Sequence, residues 1–164
     1  MKTLLLIRHA KAERAGPDLR DHDRELEQRG RRDASELGRR LRQHAPVPER
    51  MISSSALRAA ATARLVAGEL GLVAEALVED QRLYASTLSK LLYVIQELDD
   101  SLSCVALVGH NPEMTELAQH FAPGIPDMET CAAARFDFDE ASWSDIDAAT
   151  PSRAVYDAPG GGTA

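Results

Sequence analysis

The chain has 164 residues, enough for one domain with a sizeable core, and 44% of them are hydrophobic, as in ordinary globular proteins. The formal net charge of -7 argues against nucleic acid or an anionic membrane as the main partner. The sequence has neither a signal peptide pattern nor the roughly 18 consecutive apolar residues of a membrane helix, so we expect a cytoplasmic protein. We also expect a monomer.

Strand and helix patterns alternate along the chain. Thr3–Ile7 is a continuous apolar run, typical of a parallel strand that is covered on both faces. Residues 24–44 carry apolar side chains at spacings of three and four, which indicates an amphipathic helix. The later patterns predict, in order, a strand at 51–53, a helix at Leu57–Leu70 closed by Gly71, a strand at Val73–Val78, a helix over 88–98, a strand at Ser103–Val108, a helix with Asn111 as N-cap and Pro112 as its first residue, and a strand at Ala132–Phe138.

This alternation predicts an α/β fold with a mainly parallel central sheet, formed by residues 1–150 as a single domain. Residues 151–164 end in a glycine-rich stretch, and we expect them to be a flexible tail. In a parallel sheet, ligands collect outside the carboxyl ends of the strands. We therefore look for functional residues where the predicted strands end.

Three polar motifs fall at such strand ends. Arg8-His9 follows the first predicted strand directly, and His110-Asn111 comes just after the strand that ends near residue 108. Arg58 lies in the first turn of the helix that follows the strand at 51–53. Alone, a histidine or arginine at a strand end is usually structural, but three motifs of matching chemistry at three strand ends indicate one site.

The residue types in these motifs suit a phosphoryl group. Arg8 and Arg58 offer planar forks that pair bidentately with phosphate oxygens and keep their charge. A neutral imidazole between them has a lone pair and can act as a nucleophile. We expect the two guanidinium charges to hold the pKa of His9 below its reference value of about 6.5. His110 would donate a hydrogen bond to the phosphoryl oxygens as charge develops there.

These motifs resemble those of the histidine phosphatase superfamily, which includes the cofactor-dependent phosphoglycerate mutases. The resemblance covers residues 1–121, and the short chain with its sequence Arg8-His9-Ala10-Lys11-Ala12-Glu13 is most similar to the SixA-type phosphohistidine phosphatases. It implies a three-layer α/β/α fold like that of the mutases, and a two-step reaction without metal or organic cofactor. It also implies a phosphorylated nucleophile at His9 and a substrate pocket completed by Arg8, Arg58, His110 and Asn111.

The resemblance does not identify the proton donor for the leaving group. Many superfamily members carry a glutamate shortly after a leucine, where this chain has Leu83-Tyr84-Ala85. The SixA-type proteins also lack this glutamate, and a protonated imidazole is a better leaving group than an alkoxide. The carboxylates that remain as candidates are Glu13, Asp18, Asp21, Glu79 and Asp80.

The leading interpretation is a phosphatase that acts on the phosphohistidine of another protein. The segment between Leu70 and Val105 is too short for a cap domain, so a protein side chain could reach the site. Alternatives are a phosphatase of small phosphate esters and a non-catalytic phosphate-binding module. A metal-dependent hydrolase is the weakest alternative, because only Asp21-His22-Asp23 supports it and a polar loop explains that sequence better.

The charge is unevenly distributed along the chain. Residues 1–64 sum to a charge of +6 and residues 65–164 to -13. This asymmetry indicates either a solvated basic helix face or a cationic mouth that attracts an anionic substrate.

Cys104 and Cys131 fit no disulfide or metal pattern, and we expect reduced thiols, with Cys104 in the core.

Overall fold

The computed structural model describes residues 1–160, which form six strands and four α-helices. The strands are β1 (Lys2–Arg8), β2 (Arg50–Ser53), β3 (Leu77–Glu79), β4 (Cys104–Gly109), β5 (Ala133–Phe138) and β6 (Arg153–Asp157). The helices are α1 (Gln28–His44), α2 (Leu57–Leu70), α3 (Leu88–Gln96) and α4 (Glu113–Phe121). None of the helices within these 160 residues is long and apolar enough to cross a bilayer.

The six strands form one sheet in the order β3-β2-β4-β1-β5-β6. The pairs β3-β2, β2-β4 and β4-β1 are parallel. The pairs β1-β5 and β5-β6 are antiparallel. The predicted α/β fold with a mainly parallel central sheet is therefore confirmed.

The central strand β1 is buried on both faces, which explains its uninterrupted apolar sequence. Leu5 and Ile7 pack against α1 and α2 on one face of the sheet, and Leu4 and Leu6 pack against α3 and α4 on the other. Full burial of such a side chain contributes about 1.5–3 kcal/mol. The helices on both faces give the three layers that the resemblance implies.

The prediction of a strand at Val73–Val78 is largely wrong. Ala74–Ala76 form a short 3-10 turn, and the strand that pairs with β2 begins only at Leu77. Val73 is 65% exposed, so its apolar side chain does not mark a buried strand. Apolar residues that sit singly on the surface are common and carry little structural information.

The C-terminal segment belongs to the folded domain, contrary to the predicted boundary at residue 150 and the predicted flexible tail at 151–164. Strand β6 pairs with β5 along its whole length, from Arg153 to Asp157. The carboxylate of Asp157 also accepts a hydrogen bond from Nε of Arg40 on α1 at 2.9 Å. The prediction failed because an edge strand with half-buried side chains has a weak hydrophobic pattern. Residues 161–164 lie outside the described residues.

The register of the sheet brings three strand ends to the same edge. Arg8 at the end of β1 pairs with Gly109 at the end of β4, and Ser53 at the end of β2 pairs with Val108. Helix α1 contacts the loop after β1 at Gly30, where a Cβ atom would overlap the backbone oxygen of Lys11. Only a glycine permits this close approach.

Candidate active site

A cavity of about 360 Å³ lies at the carboxyl ends of β1 and β4. Its volume is at the lower end of the range typical of small-molecule sites. The five residues that the sequence predicts for the site all line it: Arg8, His9, Arg58, His110 and Asn111. The remaining lining residues are Lys11, Ala12, Arg14, Arg24 and Thr130.

The ring of His9 is held in one tautomer by hydrogen bonds at both nitrogens. Nδ1 lies 2.8 Å from the carbonyl oxygen of Ala10, which can only accept, so Nδ1 carries the proton. Nε of Arg58 donates to Nε2 of His9 at 3.4 Å, so Nε2 holds the lone pair. Nε2 is therefore the atom of this ring that can attack an electrophile.

The surroundings of His9 favour its neutral form. The pKa of His9 is lowered to about 4, mainly by burial and in smaller part by the charges of Arg58, Arg8 and Arg24, while the hydrogen bond to Ala10 opposes the shift. The predicted direction of the shift is confirmed. Its main cause differs from the prediction, because desolvation outweighs the guanidinium charges.

The neutral state of His9 can be observed directly by NMR. Because its pKa is lowered to about 4, the ring is charged only at pH values near or below 4 and is neutral from about pH 5 upward. We expect the ¹⁵N shifts of the His9 ring to stay constant between about pH 5 and pH 8, in the pattern of an Nδ1–H tautomer. Signals missing from a His9→Ala variant assign the ring. A titration midpoint near 6.5, or an Nε2–H pattern, would contradict this prediction.

His110 lies beside His9, with the ring centroids 5.1 Å apart. Its Nε2 is 2.8 Å from Oγ of Ser54, and this hydroxyl accepts a hydrogen bond from the backbone N–H of Ala56 at 3.2 Å. Burial, followed by the charges of His9 and Arg58, lowers the pKa of His110 to about 3, so its ring is neutral. With the hydroxyl proton of Ser54 donated to Nε2, the ring proton lies on Nδ1. This atom is buried and has no partner within residues 1–160.

Arg58 is the second residue of α2 and is held from outside the cavity by Asp21. Its Nη1 donates to the carbonyl oxygen of Asp21 at 2.7 Å, and its Nη2 donates to Oδ2 at 3.0 Å. The hydroxyl of Tyr84 donates to the same Oδ2 at 2.8 Å, and Nη1 of Arg24 donates to Oδ1 at 2.9 Å. One carboxylate thus orients two arginines and a tyrosine beside the cavity.

The environment of Asp21 excludes it as a proton donor. Desolvation raises the pKa of Asp21, but hydrogen bonds from Arg24, Tyr84 and Arg58 outweigh it and hold the pKa well below its ordinary range. The carboxylate is therefore ionised in the free protein. The other carboxylates that the sequence offers as proton donors do not line the cavity: Glu13, Asp18, Glu79 and Asp80.

The Asp21-His22-Asp23 sequence is engaged in hydrogen bonds rather than arranged around an ion. Asp21 binds the two arginines, and Nε2 of His22 is 3.0 Å from Oγ of Ser55. In the part of the chain that the structure describes, no group of three or more His, Cys, Asp or Glu side chains is placed to hold a metal. The metal-dependent alternative therefore gains no support from this segment.

Arg8 and Asn111 share one acceptor on the other side of the cavity. Nη1 of Arg8 and Nδ2 of Asn111 both donate to the carbonyl oxygen of Met128, each at 2.9 Å. Oδ1 of Asn111 accepts from the backbone N–H and the hydroxyl of Thr115 at 3.1 and 3.0 Å. Asn111 therefore ties Arg8 to the start of α4. The helix begins at Glu113, so the prediction of Pro112 as its first residue is wrong by one position.

Sequence reasoning did not assign roles to several residues that shape the site. Ser54 lies one residue beyond β2 and meets the same strand-end criterion that identified His9, so it could have been found. Thr62 accepts a hydrogen bond from the backbone N–H of Ala10 at 2.9 Å and donates to the carbonyl oxygen of Arg58 at 2.7 Å, which ties α2 to the loop after β1. Tyr84 lies in the segment Leu83-Tyr84-Ala85 that the resemblance aligns with the glutamate of other superfamily members, so its position near the site could also have been inferred.

Comparison with known sequences identifies the class of protein that this fold and site define. The family model of the histidine phosphatase superfamily (branch 1) matches residues 4–84, and the chain belongs to this superfamily. An uncharacterized protein of Mycobacterium tuberculosis, Rv1276c, is 34% identical over 113 residues, which cover 68% of this chain and 67% of the relative. The superfamily recognised from the motifs is thus confirmed.

Solved structures with the same fold include SixA proteins. A protein from Nakamurella multipartitia that is assigned as the phosphohistidine phosphatase SixA has a TM-score of 0.80 and 24% identity, with 98% of this chain and 97% of that chain covered. The protein histidine phosphatase SixA in complex with tungstate has a TM-score of 0.77 and 22% identity, with 93% and 95% covered. The predicted likeness to SixA-type proteins is confirmed at the level of the fold.

Proposed function

We propose that this protein is a phosphatase that takes the phosphoryl group from a phosphohistidine of a partner protein onto Nε2 of His9. Membership of the histidine phosphatase superfamily supports the phosphatase activity. The observation that carries the proposal is the lone pair of a neutral His9 in a cavity that two guanidinium groups and His110 also line. The proposed reaction uses no metal ion or organic cofactor.

In the first step, Nε2 of His9 forms a bond to phosphorus as the bond between phosphorus and the substrate nitrogen breaks, and the substrate imidazole, which carries a proton on its other ring nitrogen, leaves as a neutral ring. Arg8 and Arg58 neutralise the charge on the phosphoryl oxygens, and Nδ1–H of His110 donates to one of them. The His9 ring gains positive charge when it is phosphorylated. The carbonyl oxygen of Ala10, at 2.8 Å from Nδ1, stabilises that charge.

In the second step, water attacks phosphorus, the bond between phosphorus and Nε2 breaks, and inorganic phosphate leaves. His9 then returns to its neutral form, which its lowered pKa of about 4 favours. The carbonyl of Ala10 keeps the proton on Nδ1 throughout, so Nε2 is ready for the next cycle. The same two nitrogens thus serve both steps without a change of tautomer.

Two features of the site favour phosphohistidine over a phosphate ester as substrate. Within the described residues, no carboxylate lines the cavity, and the nearby carboxylate of Asp21 is ionised, so the site lacks an acid to protonate an alkoxide. The connection from β3 to α3 contains only a 3-10 turn at Gln81–Leu83 and adds no cap over the cavity. A side chain of a folded partner could therefore enter it.

The test compares substrates. The purified protein is given a phosphorylated histidine phosphotransfer domain and a panel of small phosphate monoesters, and kcat/KM is measured for each. We expect the phosphohistidine domain to be the best substrate. If a sugar phosphate is hydrolysed faster, the protein is a phosphatase of small esters. Tight phosphate binding without turnover of any substrate would identify a non-catalytic module.

The carboxylate of Asp21 holds Arg58 in place, and its neutralisation should weaken catalysis. We expect Asp21→Asn to lower kcat about tenfold, because loss of an orienting partner commonly costs 10- to 100-fold in activity. KM should not rise, since removing a negative charge beside the cavity strengthens attraction of the phosphoryl group. Steady-state kinetics on the phosphohistidine domain separates the two constants.

The matched control is Asp18→Asn, which removes the same charge from an exposed position in the same loop without touching Arg58. Its kcat should equal that of the wild type. If Asp21→Asn raises KM and leaves kcat unchanged, Asp21 acts on substrate binding and does not position Arg58.

A further inference from the structure

We propose that Lys11 and Arg14 form a second anion site at the cavity, and that this site binds carboxylates of the partner protein next to its phosphohistidine. The inference rests on the proposed function and adds to it the chemistry of the partner surface. Both residues line the same cavity as His9 and Arg58. The preferred partner is therefore a protein whose phosphorylated histidine is flanked by Asp or Glu.

The cations of the cavity exceed what a phosphoryl group needs. Arg8 and Arg58 already provide two forks for its oxygens, and the carboxylate of Asp21 pairs with both Arg58 and Arg24, at 3.0 and 2.9 Å. Lys11 and Arg14 remain. Within residues 1–160 neither of them forms an ion pair, although many other arginines of the chain do.

The size of the cavity leaves room for more than a phosphoryl group. A water molecule takes up about 30 Å³ of liquid volume, so a cavity of about 360 Å³ exceeds the space that one tetrahedral anion fills. Exposed cations at the mouth of such a cavity are well placed to meet groups that surround the phosphorylated side chain. Lys11 and Arg14 are both exposed in the structure.

The segment that carries these two cations is held in place by the backbone. The carbonyl oxygen of Lys11 accepts from the backbone N–H of Glu27 at 2.9 Å, and the backbone N–H of Glu13 donates to Glu25 at 2.9 Å. Nε of Arg24 donates to the carbonyl oxygen of Glu13 at 2.7 Å. The two cationic side chains therefore extend from a backbone segment that is held in place, and this lowers the entropy cost of binding a partner there.

The charge of the whole chain explains why such a site would select its partner. The chain carries a formal net charge of -7, so at long range it repels an acidic protein overall. A local cationic patch then attracts acidic groups beside the cavity. Complementary charge of this kind orients the partner and raises the association rate more than it raises affinity.

The test uses two phosphohistidine peptides that differ only beside the phosphorylated residue, with Glu in one and Gln in the other. We expect the wild type to favour the Glu peptide about fivefold in kcat/KM, because two exposed ion pairs contribute modestly. The preference should shrink as salt shortens the screening length from about 8 Å toward 3 Å. Lys11→Gln/Arg14→Gln should abolish the preference. Arg42→Gln/Lys90→Gln, which removes the same charge from exposed helix positions outside the cavity, should keep it.

A binding measurement separates this proposal from the proposed function. The affinities of both peptides are also measured with a hydrolysis-resistant phosphonate in place of the phosphoramidate. If neither natural peptide is hydrolysed but the Glu analogue still binds more tightly in a Lys11- and Arg14-dependent way, the proposed function fails and the second site stands. Equal binding of the two analogues by the wild type overturns the second site. The proposal is also overturned if the protein does not distinguish the two peptides but prefers 3-phosphoglycerate to glycerol 3-phosphate, and this preference depends on Lys11 and Arg14.

Discussion

Replacing His9 by alanine is expected to abolish turnover of the phosphohistidine domain, with kcat falling by roughly 10⁵-fold. Losses of this order follow removal of an enzyme nucleophile, because binding and charge stabilisation alone leave only a small residual rate. Brief incubation of the wild type with substrate labelled in its phosphoryl group should yield a labelled protein. The label should be labile in acid and stable in base, as a bond between phosphorus and nitrogen is, and absent from His9→Ala.

The control for this experiment is His44→Ala, which removes a histidine from the exposed end of α1. This variant should be labelled and should turn over substrate like the wild type. Labelling of His9→Ala at any other residue would show that the nucleophile lies elsewhere. His110 would then be the first residue to test, because its ring is 5.1 Å from that of His9.

Replacing Arg58 by lysine is expected to lower kcat by about 10²- to 10³-fold, which corresponds to about 3–4 kcal/mol of transition-state stabilisation. Lysine keeps the charge but cannot present a planar fork to two phosphoryl oxygens. It also cannot reproduce the guanidinium contacts to Asp21 at 2.7 and 3.0 Å while placing a donor 3.4 Å from Nε2 of His9. The single-turnover rate of His9 phosphorylation measures this loss directly.

Arg64→Lys is the matched control, since Arg64 lies on the same helix but is exposed and does not line the cavity. Its rate should be unchanged. Thermal unfolding of both variants shows whether either substitution disturbs the fold. A rate for Arg58→Lys within threefold of the wild type would mean that positive charge alone suffices and that the geometry of the fork is unimportant.

The part of the site that the sequence predicts is the part that depends on strand ends. His9, Arg58 and His110 follow apolar strands directly or open a helix after one, and parallel strands bring such positions together at one edge of a sheet. The contact between Asp21 and Arg58 joins residues 37 positions apart through an irregular loop. No periodic pattern encodes such a contact, so the role of Asp21 is visible only in the folded chain.

In the fold, too, some elements could be predicted from local sequence patterns and others could not. Strand β1 is predicted because burial on both faces leaves no polar residue between Leu4 and Ile7. Strand β6 is missed because its exposed and half-buried residues are ordered mainly by pairing with β5, which is distant in sequence. The direction of the pKa shift of His9 could be inferred from neighbouring charges. Its main cause, burial, requires knowledge of how the helices cover the strand end.

Both cysteines of the described chain are free and buried, Cys104 at the start of β4 and Cys131 beside the backbone of Arg8 and His9. Burial raises the pKa of each thiol to about 12, so almost no thiolate forms near neutral pH. Thiolates, not thiols, react with peroxide and alkylating agents. The proposed phosphatase chemistry, carried by an imidazole in a protein whose cysteine thiols are shielded in this way, would continue under oxidative stress that inactivates enzymes with a cysteine nucleophile.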